Sequence, residues 1–414
     1  MSLIVIFLTL LFLHSLVSSR LERTIFTAPI IFTTAGIVAF FVQPIIHDGD
    51  GGQHQMLTVA ELGLVLLLFA DAYRTDLAAL SSFRRLPVRL LSVGMLLTIA
   101  LGMLAAVAVF PNLSIWEAGI LAAILAPTDA GLGQIIVQSP KVPLKIRQSL
   151  NVEAGLNDGL SVPFLLFFIA IASGGGEGHS LSKYILEQLG YGAAIGIGIG
   201  AIGGWFMGEA ERRKTTGHTW SQFGLLALPL LCMLASEATG ASMFIAAFIG
   251  GMAARFGAKV TGEGPVELTE HAGQLFNLSV FFLFGLMVAR DWHNFTAWHF
   301  TYAALSLTLI RMLPVAIALL GTKLSQATVL FMGWFGPRGL ASIVLGLVFL
   351  EHAAQITGVE TIRMTVMATV FVSIFAHGFS ALPGIAAYQA RVEKIPMNSS
   401  EFTRTESKVA EQGA

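Results

Sequence analysis

The sequence has a single cysteine and little charge. Cys232 lies in an apolar run, so disulfide bonds play no part in the fold. Charged residues make up only 12% of the 414 residues, about half of their share in a soluble domain. This scarcity argues against a soluble fold. The net charge of −1 by itself says nothing about partners.

Hydrophobic residues, by contrast, make up 55% of the chain, with a mean hydropathy of +0.76. Apolar runs recur end to end, and most are about as long as the roughly 20 residues needed to span a bilayer. Residues 1–17 lack the positive start of a cleaved signal peptide, so we interpret them as a membrane helix.

We predict an all-α polytopic membrane protein with about thirteen transmembrane helices in a single domain over residues 1–390. A short, disordered cytoplasmic tail over residues 391–414 follows. The predicted segments are 3–17, 26–45, 57–73, 88–110, 117–137, 149–173, 186–207, 220–237, 240–257, 273–289, 297–320, 326–350 and 362–387.

The basic residues lie mainly on one side of this predicted topology. Alternate loops, counted from the first and including the tail, carry 19 of the 24 Lys and Arg residues, and the opposite loops carry three. Positive charge accumulates in cytoplasmic loops. We therefore predict an extracellular N-terminus, a cytoplasmic C-terminus and an odd number of spans.

Several charges fall inside the predicted spans, where each costs at least about 2.5–3.5 kcal/mol. Such residues are retained when they have a partner or a function. Glu117 and Glu237 stand at span ends, and we interpret them as interfacial. The intramembrane charges are Glu61, Asp71, Asp129, Glu153, Asp158, Arg311 and Arg338.

Asp129 belongs to the run Leu125-Ala-Pro-Thr-Asp-Ala-Gly131. Pro127 removes a backbone donor, and Gly131 loosens the following turn. A helix broken within the membrane leaves free backbone groups, which are tolerated where they line a cavity or bind a ligand. A simple proline kink is the alternative, but the nearby carboxylate favours a site.

Asp158 belongs to the run Asn151-Val-Glu-Ala-Gly-Leu-Asn-Asp-Gly-Leu160. Glu153 and Asn157 share a helix face, whereas Asp158 is turned by about 100° from Asn157. We interpret Glu153 as the counter-ion of a buried arginine. Asp158 is either an ion-binding carboxylate, which we favour, or a permanently protonated buried acid.

Span twelve contains a second broken-helix pattern in Phe335-Gly-Pro-Arg-Gly-Leu340. It lies seven helices after the first, so the two elements have opposite orientations. Paired, inverted broken helices mark the midplane site of secondary transporters. Arg338 would stand at the crossing of the two helices, where we expect Glu153 to pair with it.

These motifs resemble the monovalent cation:proton antiporter-1 family. The resemblance is carried by Ala126-Pro-Thr-Asp129, Glu153 with Asn157-Asp-Gly159, Gly336-Pro-Arg-Gly339 and Arg311-Met-Leu-Pro314. Within that family the chain is similar to the prokaryotic NhaP-type sodium/proton antiporters, which are relatives of the animal sodium/proton exchangers. The resemblance covers nearly the whole chain.

The resemblance implies a homodimer, with a dimerisation part and a core in which the two broken helices cross and which moves like an elevator. It also implies that Asp158 is the main ion- and proton-binding carboxylate, and that Asp158 and Asp129 bind the transported cation. Thr128 and Asp129 would complete the site and neutralise helix ends, while Asn157 tunes it. Glu153 and Arg338 would form a structural ion pair. The Asn-Asp pair, and the absence of lysine from span ten (Gly273–Ala289), imply electroneutral exchange.

Two departures from the family pattern bear on the ion. Ala154 stands where the family usually has a serine that can ligate the cation, and the family's Thr-Asp-Pro is here Thr128-Asp129-Ala130. Potassium therefore stays open beside sodium. Asp71 lies where relatives can have an acidic site residue, and Glu61 echoes a motif of the second antiporter family.

We therefore expect a secondary transporter in the cell (inner) membrane that exchanges Na⁺ for H⁺, with K⁺/H⁺ exchange as the alternative. A carboxylate in a half-dry cavity can bind either a proton or an alkali ion. The rival classes are an ion channel and an intramembrane aspartyl hydrolase using Asp129 and Asp158. We expect no enzymatic activity, no cofactor besides the transported ions (Na⁺, or Li⁺ or K⁺, and H⁺) and no nucleic-acid partner.

Overall fold

The computed structural model describes residues 3–21, 24–42, 52–74, 85–174, 190–258, 266–351, 353, 356–396 and 399–402. Within these ranges the chain is helical and contains no strand. In chain order the helices are α1 (Leu3–Leu21), α2 (Ala28–Val42), α3 (Gly52–Arg74), α4 (Arg85–Val109), α5 (Ile115–Ile124), α6 (Ala130–Gln138), α7 (Leu144–Ala172), α8 (Gly192–Arg212), α9 (His218–Thr239), α10 (Met243–Ala258), α11 (Glu267–Arg290), α12 (Ala297–Ala318), α13 (Gln326–Trp334), α14 (Leu340–Glu351) and α15 (Val359–Val392).

Eight of the described helices are long and apolar enough to cross a membrane, and four shorter apolar helices accompany them. Each predicted apolar segment coincides with one helix or with a pair of half-helices. The weakest predicted boundary, between α9 and α10, lies at Gly240, whose φ of 68° is left-handed and ends α9. The chain is therefore a helical multi-pass membrane protein.

Close backbone packing joins α8 to α10. Gly196, Gly200 and Gly204 recur every fourth residue on one buried face of α8. A β-carbon on any of them would collide with the backbone of α10. This face resembles the small-residue interfaces through which membrane helices approach each other closely.

Two helices bring other elements to the broken segments. Helix α3 packs against α10 and α11 and also contacts α7. Helix α15 contacts α12, both halves of the second broken helix (α13 and α14), and α6 of the first. The intramembrane charges of α3 and the polar side chains of α15 can therefore reach the broken helices.

The predicted disordered tail is wrong for its described part. Helix α15 continues to Val392, and Glu401, 1% exposed, is buried against the end of the bundle. Its carboxylate accepts the Ser325 backbone N–H at 2.6 Å, and Lys145 Nζ donates to Ser400 O at 2.5 Å. Hydrogen bonds to α7 and to the start of α13 thus fix these residues. Residues 397–398 and 403–414 lie outside the described part.

Candidate ion-binding site

The first broken helix is interrupted between α5 and α6. Helix α5 ends at Ile124, and α6 begins after Asp129, whose backbone is extended (φ −82°, ψ 118°). Asp129 Oδ1 accepts the Leu132 backbone N–H at 3.0 Å, so Asp129 is the N-cap of α6. The break predicted from Pro127 is confirmed.

The second break, residues 335–339, lies directly against the first. Asp129 N–H donates to Pro337 O at 2.8 Å, and Asp129 Oδ2 accepts the Leu340 N–H at 2.6 Å. A single buried carboxylate therefore binds the N-terminal ends of both α6 and α14. Because helix N-termini carry partial positive charge, the Asp129 carboxylate complements both helix ends.

The two glycines of Gly336-Pro-Arg-Gly339 leave room for charged side chains. A β-carbon on Gly339 would collide with the carboxylate of Asp129, and one on Gly336 would collide with the guanidinium of Arg311. Both contacts join residues that are far apart in the sequence. Packing around two buried charges therefore requires glycine at these positions.

The helix that carries Asp158 is bonded to the first break. Asn157 Nδ2 donates to Thr128 Oγ1 at 2.8 Å, and both residues are buried. Asn157 Oδ1 and Asp158 Oδ1 are buried atoms with no hydrogen-bond partner among the described residues. Oxygen atoms of this kind are the ligands that an alkali cation prefers.

Asp71 approaches the same site from α3. A β-carbon on Gly155, three residues before Asp158, would lie 3.5 Å from Asp71 Cβ and 3.9 Å from Asp71 Oδ2. Asp71 therefore lies beside the turn of α7 that precedes Asp158. Arg74, one turn further along α3, forms an ion pair with Glu270 of α11.

A small cavity of about 20 Å³, enough for a single water molecule, adjoins the broken helices. Backbone and side chains of both breaks line it, together with the α7 turn that contains Glu153 and Ala154. Of the residues predicted from the sequence, Thr128 and Asp129 line this cavity. Asn157, Asp158 and Asp71 adjoin it through the Asn157–Thr128 hydrogen bond and the contact of Asp71 with the α7 turn at Gly155.

A family of known proteins matches this chain over nearly its whole length. The family model described as "Sodium/hydrogen exchanger, transmembrane" matches residues 4–383. The chain belongs to the sodium/hydrogen exchanger family. Membership confirms the resemblance inferred from the motifs, and it places the chain in a family of transporters rather than enzymes.

Individual relatives include both sodium and potassium antiporters. A "Na(+)/H(+) antiporter" of Schizosaccharomyces pombe is 25% identical over 80% of this chain and 78% of its own length. The "K(+)/H(+) antiporter NhaP2" of Shewanella baltica is 26% identical over 93% of this chain and 65% of its own length. The solved sodium proton antiporter MjNhaP1 of Methanocaldococcus jannaschii, at pH 8, superposes with a TM-score of 0.71 and 20% identity. That match covers 91% of this chain and 100% of the other, and it shows that the folds agree.

One site prediction is wrong in this family member: Glu153 does not pair with Arg338. Arg311 of α12 takes both carboxylate oxygens of Glu153, with Nη1–Oε1 at 2.6 Å and Nη2–Oε2 at 2.9 Å. Arg338 Nη1 instead donates to Gly336 O at 2.9 Å. The counter-ion of Glu153 therefore comes from α12, and the Arg338 guanidinium bonds the backbone of the second break instead.

Two acidic residues considered in the sequence, Glu61 and Glu117, lie outside this site. Glu61 is ten residues from Asp71, or about 15 Å along α3. Glu117 forms a capping box with Ser114 at the start of α5 and also accepts the Gly358 N–H at 2.7 Å. The interpretation of Glu117 as a span-end residue therefore agrees with its place at the start of α5.

Sequence reasoning missed Ser373 and His377, which lie on α15 and are buried. Arg338 N–H donates to Ser373 Oγ at 2.6 Å, and His377 Nε2 lies 2.9 Å from Trp334 O. A histidine four residues after a serine in an otherwise apolar helix was the available signal. The sequence did not show which backbone groups they contact.

Proposed function

We propose that this chain exchanges Na⁺ for H⁺ across the membrane, with Asp158 as the carboxylate for which the two ions compete. The observation that supports this most directly is the position of Asp158 beside two contacting broken helices, with Oδ1 unpartnered among the described residues. Several relatives are named as Na⁺/H⁺ antiporters.

In the proposed mechanism, Asp158 releases its proton when a cation arrives and takes up a proton when the cation leaves. Asp71 contributes a further carboxylate from α3, and Asn157 and Thr128 contribute polar ligands. Asp129 is already bound to two helix ends, so its main role is to neutralise them and fix the geometry. Asp129 is a weaker ligand of the cation than Asp158.

The hydrogen bonds favour an elevator-type movement of one unit. Asp129 joins α6 to α14, and Asn157 joins α7 to the first break. These links allow the broken helices and Asp158 to move together relative to α3 and α11. Homodimerisation, thirteen membrane crossings and the inverted repeat belong to the same proposal. So do a cell-membrane location, an extracellular N-terminus and a cytoplasmic C-terminus.

Electroneutral exchange is supported by the uncharged side chain that α11 brings near the site. Asn277 Nδ2 lies 3.6 Å from the position of a β-carbon on Gly131, next to Asp129. Span ten therefore offers an amide at this point rather than a second proton-binding amine. We propose one proton exchanged for each monovalent cation.

K⁺/H⁺ exchange by the same mechanism is the second candidate. It is favoured by Ala154, which lines the cavity without a hydroxyl, and by relatives described as K⁺/H⁺ antiporters. The missing oxygen ligand costs the smaller, harder Na⁺ more than it costs K⁺.

Proteoliposomes that contain the purified protein and a trapped pH dye test the function. Outward gradients of Na⁺, Li⁺ or K⁺ should drive saturable proton movement in the wild type, and Asp158→Asn should abolish it. Clamping the voltage with valinomycin and K⁺ should leave the Na⁺-driven rate unchanged. Undiminished proton flux in a correctly folded Asp158→Asn protein would contradict the proposal, and non-saturating conductance would indicate a channel.

A further inference from the structure

Three side chains on one face of α15 contact the second break. Ser373, His377 and Ser380 are spaced by four and three residues, so they lie on the same side of the helix. Trp334 Nε1 donates to Ser380 Oγ at 2.9 Å, and the Trp334 ring lies 5.1 Å from the imidazole of His377. Helix α15 therefore faces the segment that connects α13 to α14.

His377 also forms hydrogen bonds through both of its ring nitrogens. Trp334 O is the only atom within hydrogen-bond distance of His377 Nε2 among the described residues, so Nε2 carries the proton and donates to that carbonyl at 2.9 Å. His377 Nδ1 lies 3.1 Å from Ser373 Oγ and 3.0 Å from Ser373 O. In the neutral ring Nδ1 has no proton and can only accept a hydrogen bond. Of the two Ser373 oxygens only the hydroxyl can donate, so Ser373 Oγ–H donates to Nδ1.

The chain of hydrogen bonds then continues in one direction. Ser373 Oγ donates to His377 and accepts the Arg338 N–H at 2.6 Å. Arg338 is bracketed by Pro337 and Leu340, whose backbone groups bind Asp129. The position of the Asp129 carboxylate therefore depends on residues 334–340. These residues are bonded to α15 at Trp334 and at Arg338.

Ser373 and His377 form their hydrogen bonds to Arg338 and Trp334 from buried positions. Ser373 is fully buried and His377 is 2% exposed, so a displaced backbone group cannot replace its partner with water. Trp334 O also accepts the Gly336 N–H at 2.9 Å, which means that both lone pairs of this carbonyl are used. Buried carbonyl groups that lose a partner rotate toward another donor or toward solvent.

We infer that His377, acting with Ser373, is a positioning residue for ion exchange: it fixes residues 334–340, which include the second break, and thereby holds Asp129 between the two helix ends beside Asp158. It does not contact the cation in this arrangement. The inference rests on the proposed exchange function for its kinetic consequence and on hydrogen bonds alone for its structural one.

Two amide substitutions separate the roles of the ring nitrogens. Glutamine can place an amide N–H near the position of Nε2, whereas asparagine reaches only that of Nδ1. His377→Gln should therefore keep the half-saturating Na⁺ concentration within about twofold of wild type. His377→Asn and His377→Ala should raise it by about five- to tenfold, the loss of one buried hydrogen bond, with a smaller change in maximal rate. Thr301→Ala, which removes an exposed hydroxyl bonded to its own helix, is the control.

Hydrogen–deuterium exchange of the full-length protein in detergent provides a second measurement that does not depend on transport. Protection of the Arg338 and Leu340 amides should fall at least tenfold in His377→Asn and remain near wild type in His377→Gln. Ser373→Ala, which removes the acceptor of Arg338 N–H, should expose the same amides, so the inference stays testable if a His377 variant does not fold.

The results distinguish this inference from the proposed function. Equal behaviour of the Gln and Asn variants in both measurements would overturn the positioning role, as would a change in maximal rate without a change in affinity. If the wild type shows no cation-driven proton movement while amide protection follows the expected order, the exchange function fails and the structural role of His377 stands.

Discussion

Arg311 and Glu153 form a two-pronged ion pair within the bundle, and both side chains are 3% exposed. Removing one partner leaves an uncompensated buried charge, which costs about 3–5 kcal/mol. Replacing both partners with apolar residues of similar volume is far less costly. The pair joins α7, which carries Asp158, to α12, which packs against α15.

We expect Glu153→Ala and Arg311→Ala each to lower the free energy of unfolding by about 3–5 kcal/mol. The double variant Glu153→Leu with Arg311→Met should lose much less than the sum of its single changes. Thermal unfolding in detergent, analysed as a double-mutant cycle, measures the coupling. A parallel cycle between Glu153 and Arg338, which share no hydrogen bond among the described residues, should give a clearly smaller coupling than the cycle between Glu153 and Arg311. A coupling to Arg338 as large as that to Arg311 would restore the pair predicted from the sequence.

Gly339→Ala should impair exchange because the added β-carbon takes the place of the Asp129 carboxylate. We expect at least a tenfold weaker apparent affinity for Na⁺, or loss of transport, in reconstituted vesicles. Gly346→Ala is the matched control on α14, since its β-carbon would meet Val366 at an ordinary contact distance of 3.4 Å. Equal effects of the two substitutions would argue against a specific role for the close contact between Gly339 and the Asp129 carboxylate.

Thr128 should act through its hydroxyl group rather than its shape. Thr128→Val preserves the volume but removes the acceptor of the Asn157 amide, so we expect apparent cation affinity to fall about five- to tenfold, as for one buried hydrogen bond. Thr128→Ser retains the hydroxyl and should remain within about twofold of wild type. The Na⁺ dependence of proton flux decides between these outcomes, and a valine variant with wild-type Na⁺ affinity would contradict the proposed link.

Ala154→Ser tests the identity of the ion. The residue lines the small cavity at the breaks, and a hydroxyl there adds an oxygen ligand that favours the smaller, harder cation. We expect the ratio of Na⁺ to K⁺ exchange rates at equal concentrations to rise severalfold. Ala126→Ser, in the first break but not among the residues that line the cavity, controls for adding a hydroxyl nearby. An unchanged ratio in Ala154→Ser would remove Ala154 from the determinants of selectivity.

Glu401 should hold the tail against the start of α13. Burial by itself raises the pKa of this carboxyl, but hydrogen bonds led by the Ser325 backbone N–H outweigh it, and the pKa lies below the usual 4.5. A lowered pKa means that docking is stabilised above pH 4.5 and weakens as the pH falls below that value. Docking should therefore not change between pH 8 and about pH 6.

Limited trypsin digestion after Lys394 measures this docking. Glu401→Gln should increase the cleavage rate at neutral pH, because the neutral amide accepts more weakly than the carboxylate. Glu360→Gln, which changes a carboxylate in the first turn of α15 far from the cleavage site, should be cleaved like the wild type. Equal cleavage of the Glu401 variant and the wild type would show that the tail is held by other contacts.

The sequence predicted the helical membrane class and both helix breaks because these properties are local. Apolar run length reports burial in lipid, and proline and glycine act on the backbone within a few residues. The family motifs supplied Thr128 and Asn157 as candidates, and Asp129 and Asp158 stood out for a related reason. A polar group within an apolar run is too costly to be retained without a role or a partner.

Only the tertiary structure decided which groups are partners. Arg311 rather than Arg338 pairs with Glu153, Asp129 spans two helix ends, and His377 reaches a carbonyl 43 residues earlier in the chain. These choices depend on the rotation, depth and crossing of helices that are distant in sequence. The sequence shows that a buried charge needs a partner, but helix packing sets which partner lies within 3 Å.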